Sequence, residues 1–495
     1  MPVYISSRNR ENSCTSHEAV IQGLAADGGL YTPASIDSCI DVKDLIHASY
    51  QETAMAVLQA MCSDYSHEEL HACVYGAYDT KFDTDEIVPV TATRDGWMME
   101  LWHGPTSAFK DIALTILPRL LTAAYRKENR NDLVSILTAT SGDTGKAALS
   151  GFADVPHTAI TVFYPEIGVS AIQKMQMRTS RGNNVKVIAV RGNFDDCQRM
   201  VKEAVSSAKV KNACHGVTIS SANSINAGRL IPQITYYFYA YAQLVKRGAV
   251  RCGDPVSFCV PTGNFGDILA GYLAKLLGLP VHKLICASNS NHVLTDFFET
   301  GTYSLDREFI TTISPSMDIL ISSNLERLLF MLSGNDDAFV RKCMADLQEK
   351  GSYSIPRDML EEMQKTFAGA WADEDACRRE IRRMYEEEGI VIDPHTSVAF
   401  CGLKQYRKAS GDDTPCIVLS TASPYKFSKD VLASLGAEET DDDFAAMEKL
   451  HELSGMPVPK GLAELKELPL RFHEVIDIED GMKTIAKRME ELSHD

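Results

Sequence analysis

The chain has 495 residues, more than one hydrophobic core normally organises, so two or three packed units are expected and a lone binding module is excluded. Its 45% hydrophobic and 23% charged residues match an ordinary globular protein and rule out wholesale disorder. Sixty-seven acidic against 49 basic residues give a net charge of −18, which opposes sequence-blind attraction to nucleic acid or anionic lipid, so any phosphate must be gripped locally.

The first residues, MPVYISSRNRENS, carry no apolar leader, which predicts a cytoplasmic protein. Residues 1–95 read as a unit of their own, with helical stretches over 42–61 and 67–77 and a strand-like 87–93. Within it His67-Glu68-Glu69-Leu70-His71 satisfies H-E-x-x-H, the helical pattern of a zinc hydrolase. Ser66 reads as an N-cap and no third ligand motif follows, so a solvated helix start is the competing reading. From 133 onward β-branched runs alternate with helical stretches at 133–137, 159–163, 185–190, 217–220, 256–260, 283–286 and 416–419. This pattern predicts an α/β fold with open, mostly parallel sheets. The aromatic run 236–245 is too short for a membrane span and reads as a buried helix. Residues of about 325–390 favour helix and read as a helical insertion, and 435–495 as an acidic helical tail, a solvated flank. Thirteen cysteines without a C-x-x-C pair read as reduced, buried hydrophobes, with neither disulfide nor zinc implied.

Open α/β sheets bind ligands beyond the carboxyl ends of their strands, where helix N-termini aim amides at negative charge. Two loops fit. In PTGNFGDILAG, Gly263 and Gly266 bracket Asn264, a phosphate cradle or an ordinary turn. In TATSGDTGKAALSG a Walker loop fails, because Thr140 replaces its first glycine and Ala147 its magnesium-binding hydroxyl. What remains at that corner is Ser141, Gly142, Asp143 and Thr144, suited to a small carboxylate or to capping a helix. In LWHGPTSAFKDIAL, Lys110 follows Phe109. A desolvated lysine there could form a Schiff base and move protons, although lysines near helix starts are usually solvated. His395, in Asp393-Pro394-His395-Thr396, could line a pocket or belong to a capped helix start.

In this order, HGPTSAFKD, TATSGDTGKAA, SANSINAGRLIPQ, PTGNFGD and LSTASPYKF, with YISSRN and EAVIQGLAADGGLYTP ahead of them, resemble the threonine synthase family. That resemblance implies a two-lobed fold type II enzyme (tryptophan synthase β-like) with pyridoxal 5'-phosphate as cofactor. It implies a family-like N-terminal domain at 1–95, a catalytic region at 96–434 with a smaller lobe at about 130–220, and a C-terminal tail at 435–495. It implies that Lys110 bears the cofactor, that Gly263, Asn264, Phe265, Gly266 and Asp267 hold its phosphate, and that Thr421 meets its ring nitrogen. Ser141, Asp143 and Thr144 would bind the substrate carboxylate, and Asn223, Ser224 and Arg229 the phosphate of O-phospho-L-homoserine. The implied product is L-threonine, with no nucleic-acid or membrane partner and a monomer or homodimer as the assembly. Two positions depart from the pattern: Ser423 stands where many relatives have His, and Asp143 where some branches have Asn. A serine or threonine dehydratase of the same fold is the alternative, since it would need no second phosphate site.

Overall fold

The computed structural model describes residues 3–140, 142–167, 169–438 and 440–494, so Ser141 lies outside the described residues. A six-stranded sheet runs in the order Phe367–Trp371, Val281–Ser288, Val256–Pro261, Cys416–Ser420, Gly96–Glu100, Val90–Thr93. Its pairs are parallel except the last, where Val90 faces Met99 in antiparallel register. A second sheet of five parallel strands runs in the order Val475–Asp477, Val185–Arg191, Thr158–Pro165, Leu133–Ala139, Val217–Ser220. The central strands are buried along their whole length, which is why they read as near-continuous β-branched runs. Helices cover the faces. Among them, Ile234–Lys246 buries the aromatic run of Tyr236, Tyr237, Phe238 and Tyr241.

Three expectations change. The stretch 87–93 narrows to Val90–Thr93 and joins the edge of the large sheet, where its partner Gly96–Glu100 (GWMME) has none of the β-branched residues that signal a strand. The helical insertion at 325–390 is interrupted by Phe367–Trp371, whose small residues Ala368, Gly369 and Ala370 hide an edge strand that pairs with Val281–Ser288. The tail is no solvated flank. Val475–Asp477 pairs with Val185–Arg191, and in the helix Gly481–His494 the residues Ile485, Met489 and Leu492 are buried against the small sheet's core. Their spacing of four and three makes one apolar helix stripe, which the acidic residues ahead of it obscure.

The N-terminal residues form a small antiparallel sheet of Asn9–Cys14, Tyr4–Ser6 and Tyr31–Pro33, followed by helices Tyr50–Met61 and His67–Ala77. Tyr4, Val20, Leu58 and Val74 share one continuous core with Leu114, Leu117 and Tyr236, so this segment is packed into the body of the fold. Among the described residues no helix is long and apolar enough to cross a membrane.

Candidate active site

Lys110 opens the helix Lys110–Lys127, and its Nζ lies 4.9 Å from the centroid of the Phe109 ring. The preceding turn is set from both sides. Thr106 donates its backbone N–H and its hydroxyl to Asp111 at 2.8 and 2.7 Å, and the Phe109 N–H donates to the Thr421 carbonyl at 2.8 Å. Ala108 bridges to Ala422, and the Ser423 N–H donates to the Ser107 carbonyl at 3.1 Å. Thr421 is therefore fastened beside Lys110 although the two are far apart in the chain. Burial, reinforced by the cations Lys426 and Arg229, pushes the Lys110 amine down to about 8, against the pull of Asp143 and Asp111.

The glycine loop after Val256–Pro261 turns through Phe265, whose φ of 67° is left-handed, and leads into the helix Gly266–Leu276. The strain is held by packing, since the buried Phe265 ring lies 6.0 Å from Phe298 and 5.8 Å from Phe367. A Cβ at Gly263 would approach Ile319 Cδ1 at 3.0 Å and Met317 Cα at 3.2 Å, so the loop tolerates glycine alone without moving its backing. That backing is fixed by His395, which accepts from the Ser316 N–H at 3.2 Å while its Nδ1 lies 2.6 Å from Asp393 Oδ2. His395 thus supports the loop from a helix start that Asp393 caps. Asn264 Nδ2 donates to Ser224 Oγ at 2.8 Å and joins this loop to SANSINAGR. The Asp267 carboxylate turns away toward Tyr236 and Tyr237, whose hydroxyls donate to Oδ1 at 2.5 and 3.1 Å. Burial raises this carboxyl to about 6, so toward an anion residue 267 offers its backbone N–H rather than its side chain.

Arg229 is buried in the short helix Ala227–Leu230. Its Nη1 donates to the Ala222 carbonyl at 2.6 Å, while Nε has no hydrogen-bond partner. Burial lowers even this guanidinium to about 10. Asn223 lies in the turn before it, where its carbonyl accepts from the Asn226 N–H at 3.1 Å.

After Leu133–Ala139, Thr140 Oγ1 accepts from the Gly142 and Gly145 amides at 3.0 Å each, and Gly142 is the N-cap of Asp143–Phe152 without a side-chain cap. Asp143 is therefore not a cap. Its buried carboxylate pairs with Lys426 Nζ at 2.6 Å and accepts from Gln173 Nε2 at 3.1 Å. Burial opposes ionisation there, but Lys426 and Lys110 outweigh it and hold the carboxyl well below the usual carboxylate range. Thr144 stands beside it in the first turn, half-buried. Sequence reasoning assigned no role to Lys426 or Gln173. The signal was available in SPYKF, where a lysine sits between two aromatics as Lys110 sits beside Phe109. Ser423 caps the turn Pro424–Phe427 that carries Lys426.

The H-E-x-x-H segment faces outward. Ser66 caps the helix with Glu69, His67 Nδ1 lies 2.6 Å from Gln59 Nε2, and His71 stacks on Tyr75 at 4.2 Å. Among the described residues no three His, Cys, Asp or Glu side chains converge to hold a metal.

Comparison with known proteins matches residues 3–78 to the threonine synthase N terminus, 93–421 to pyridoxal-phosphate dependent enzymes and 396–486 to the threonine synthase C-terminal model. Threonine synthase of Schizosaccharomyces pombe is 36% identical, covering 88% of this chain and 89% of that protein. Threonine synthase-like 1 of Homo sapiens is 39% identical over 86% of this chain, which spans 58% of the length of that relative. The crystal structure of PLP-bound threonine synthase from Brucella melitensis superposes with a TM-score of 0.89 at 34% identity, with both chains fully covered.

Proposed function

The chain belongs to the threonine synthase family of pyridoxal-phosphate-dependent enzymes, and we propose that it converts O-phospho-L-homoserine and water into L-threonine and phosphate in the cytoplasm. When bound, pyridoxal phosphate supplies an electron sink for carbanions next to the amino-bearing carbon. In this reading Lys110 carries the cofactor, and the amides of 263–267 hold its phosphate in a loop whose close approach to the segment behind it requires glycine at 263. Thr421 presents a neutral hydroxyl to the ring nitrogen. Ser141, Asp143 and Thr144 form the corner that receives the substrate carboxylate.

One observation carries the choice of substrate: a buried guanidinium, Arg229, with an unpartnered Nε, close enough to repel the Lys110 ammonium. Among the described residues no acidic side chain pairs with it, and a buried cation in that state fits a ligand anion beyond the cofactor's own. Asn223 and Ser224 directly follow Ala222, whose carbonyl takes Arg229 Nη1, and Ser224 is already joined to the glycine loop through Asn264. Released when the substrate's amino group takes its place on the cofactor, Lys110 Nζ would take the proton from substrate Cα, hand it on to the cofactor side and, neutral again, take one from Cβ as phosphate leaves Cγ. At about 8, roughly a tenth of the amine is neutral at about pH 7, against a few in ten thousand for an ordinary lysine. Arg229 keeps the departing phosphate near Cβ, where water adds.

The deciding experiment is phosphate release from O-phospho-L-homoserine with the organic product identified. Equimolar phosphate and threonine are expected, and phosphate without threonine, or no release, ends this reading.

A further inference from the structure

We propose that Lys426 is a positioning residue of this site: by holding Asp143 in an ion pair across the cleft, it withholds that carboxylate from Lys110 and from the carboxylate of the incoming substrate. This role rests on the reading of the cleft given above. Lys426 follows the strand Cys416–Ser420 of the large sheet, and its side chain is fully buried. Nζ reaches Asp143 Oδ1 at 2.6 Å and donates to the Thr106 carbonyl, in the turn before Lys110, at 3.1 Å. Asp143 opens the first helix of the small sheet and is steadied by Gln173. The pair therefore spans both sheets at the carboxyl ends of their strands.

An ionised carboxylate in a loop that must receive another carboxylate repels it, unless a cation neutralises the first. The same carboxylate is the one most free to capture Lys110. Facing Lys110 are Asp143, Asp111 and Asp267 together with Lys426 and Arg229, while Lys146, on the helix that Asp143 opens, faces Asp111 and Lys426. Asp111 is occupied by both donors of Thr106, and Asp267 by two tyrosines. Only Asp143 has a lysine for a partner, and that partner is Lys426 instead of Lys110. Without Lys426, two effects raise the proton affinity of the Lys110 nitrogen: a repelling cation is gone and a carboxylate is freed. Removing Asp143 as well cancels most of both.

The pH titration of the visible absorption of the Lys110–cofactor linkage, in the full chain loaded with pyridoxal phosphate, reads this balance without any substrate. Lys426→Met is expected to move the midpoint upward by about one pH unit or more, and Lys426→Met with Asp143→Asn to bring it back near the unsubstituted value. A lysine that served only to fill space would leave the double variant no better than the single one. An unmoved midpoint in Lys426→Met, or a double variant that titrates like it, overturns the role. Asp143→Asn alone is expected to move the midpoint downward, which keeps the role testable if Lys426→Met fails to fold, and absence of that movement overturns it equally. Phosphate release by the unsubstituted protein tests the proposed reaction separately, so a failure of either is recognisable by itself.

Discussion

At the scale of single residues, the cleft is a set of buried charges whose partners differ. Arg229 has a carbonyl for one nitrogen and nothing for another, so Arg229→Ala should raise KM for O-phospho-L-homoserine ten- to a hundredfold, equivalent to about 1.5–3 kcal/mol for a hydrogen bond to a charged group. Initial rates of phosphate release measure it, and an unchanged KM would favour a dehydratase-like site without a second phosphate. Lys110→Ala should abolish both threonine formation and the borohydride-reducible visible chromophore, because the other lysines of the cleft are engaged elsewhere, Lys426 by Asp143 and the Thr106 carbonyl and Lys146 by Ser180. Asp267 gives a stability prediction. Its folded-state value of about 6 lies above its ordinary 3.8, so its stabilising contribution is complete below pH 3.8 and lost as pH rises through about 6. The unfolding free energy of Asp267→Asn relative to the unsubstituted chain should therefore climb across that window by about 3 kcal/mol and then level off. Urea unfolding at pH 4, 5, 6 and 7 would show it, and a flat difference would contradict the burial argument.

At the scale of elements, the loops proposed to meet the ligand are held by side chains from elsewhere. Arg327, fully buried in the helix Leu325–Leu332, donates to the Tyr31 carbonyl at 3.0 Å, to the Ile225 carbonyl at 2.6 Å and to Asn324 Oδ1. Asn324 in turn donates its backbone N–H to the Asn264 carbonyl at 3.1 Å. One guanidinium thus ties the N-terminal sheet to the glycine loop and to the SANSINAGR segment. Arg327→Met would strand three buried acceptors at about 1–3 kcal/mol each, so a loss of several kcal/mol in urea unfolding and at least tenfold weaker cofactor retention are expected. Retention within twofold, measured by fluorescence titration, would show that the loops hold their own shape. Legibility follows the same division. Gly263, Gly266 and the strand before them were readable because turn chemistry and β-branched runs are local properties of the chain. The strands Gly96–Glu100 and Phe367–Trp371 were not, because their pairing partners supply the order that their own side chains do not signal.

At the scale of the whole molecule, the last residues complete the smaller sheet. Ending the chain before Val475 removes an edge strand and exposes the surface against which Ile485 and Met489 are buried. At about 1.5–3 kcal/mol for each such side chain, a loss of about 5 kcal/mol is expected. It should appear as a lowered Tm and early proteolysis within 133–220, and an unchanged Tm would refute the packing role. The same scale explains the charge paradox: a chain of net charge −18 builds a cleft with four cations, Lys110, Lys146, Arg229 and Lys426.

What the sequence by itself determined was the kind of chemistry: a lysine in an apolar turn, glycine loops after buried strands, and five ordered motifs, all written in contiguous residues whose local physics does not depend on the rest. Only the tertiary structure decided which charges meet. Asp143, open to a capping reading in its own loop, became the partner of Lys426; Asp267 turned to two tyrosines; and Arg229 was left with an unpartnered nitrogen. Electrostatic pairing in a buried cleft depends on distances of a few ångströms between distant parts of the chain, and those distances exist only once both sheets have folded and met.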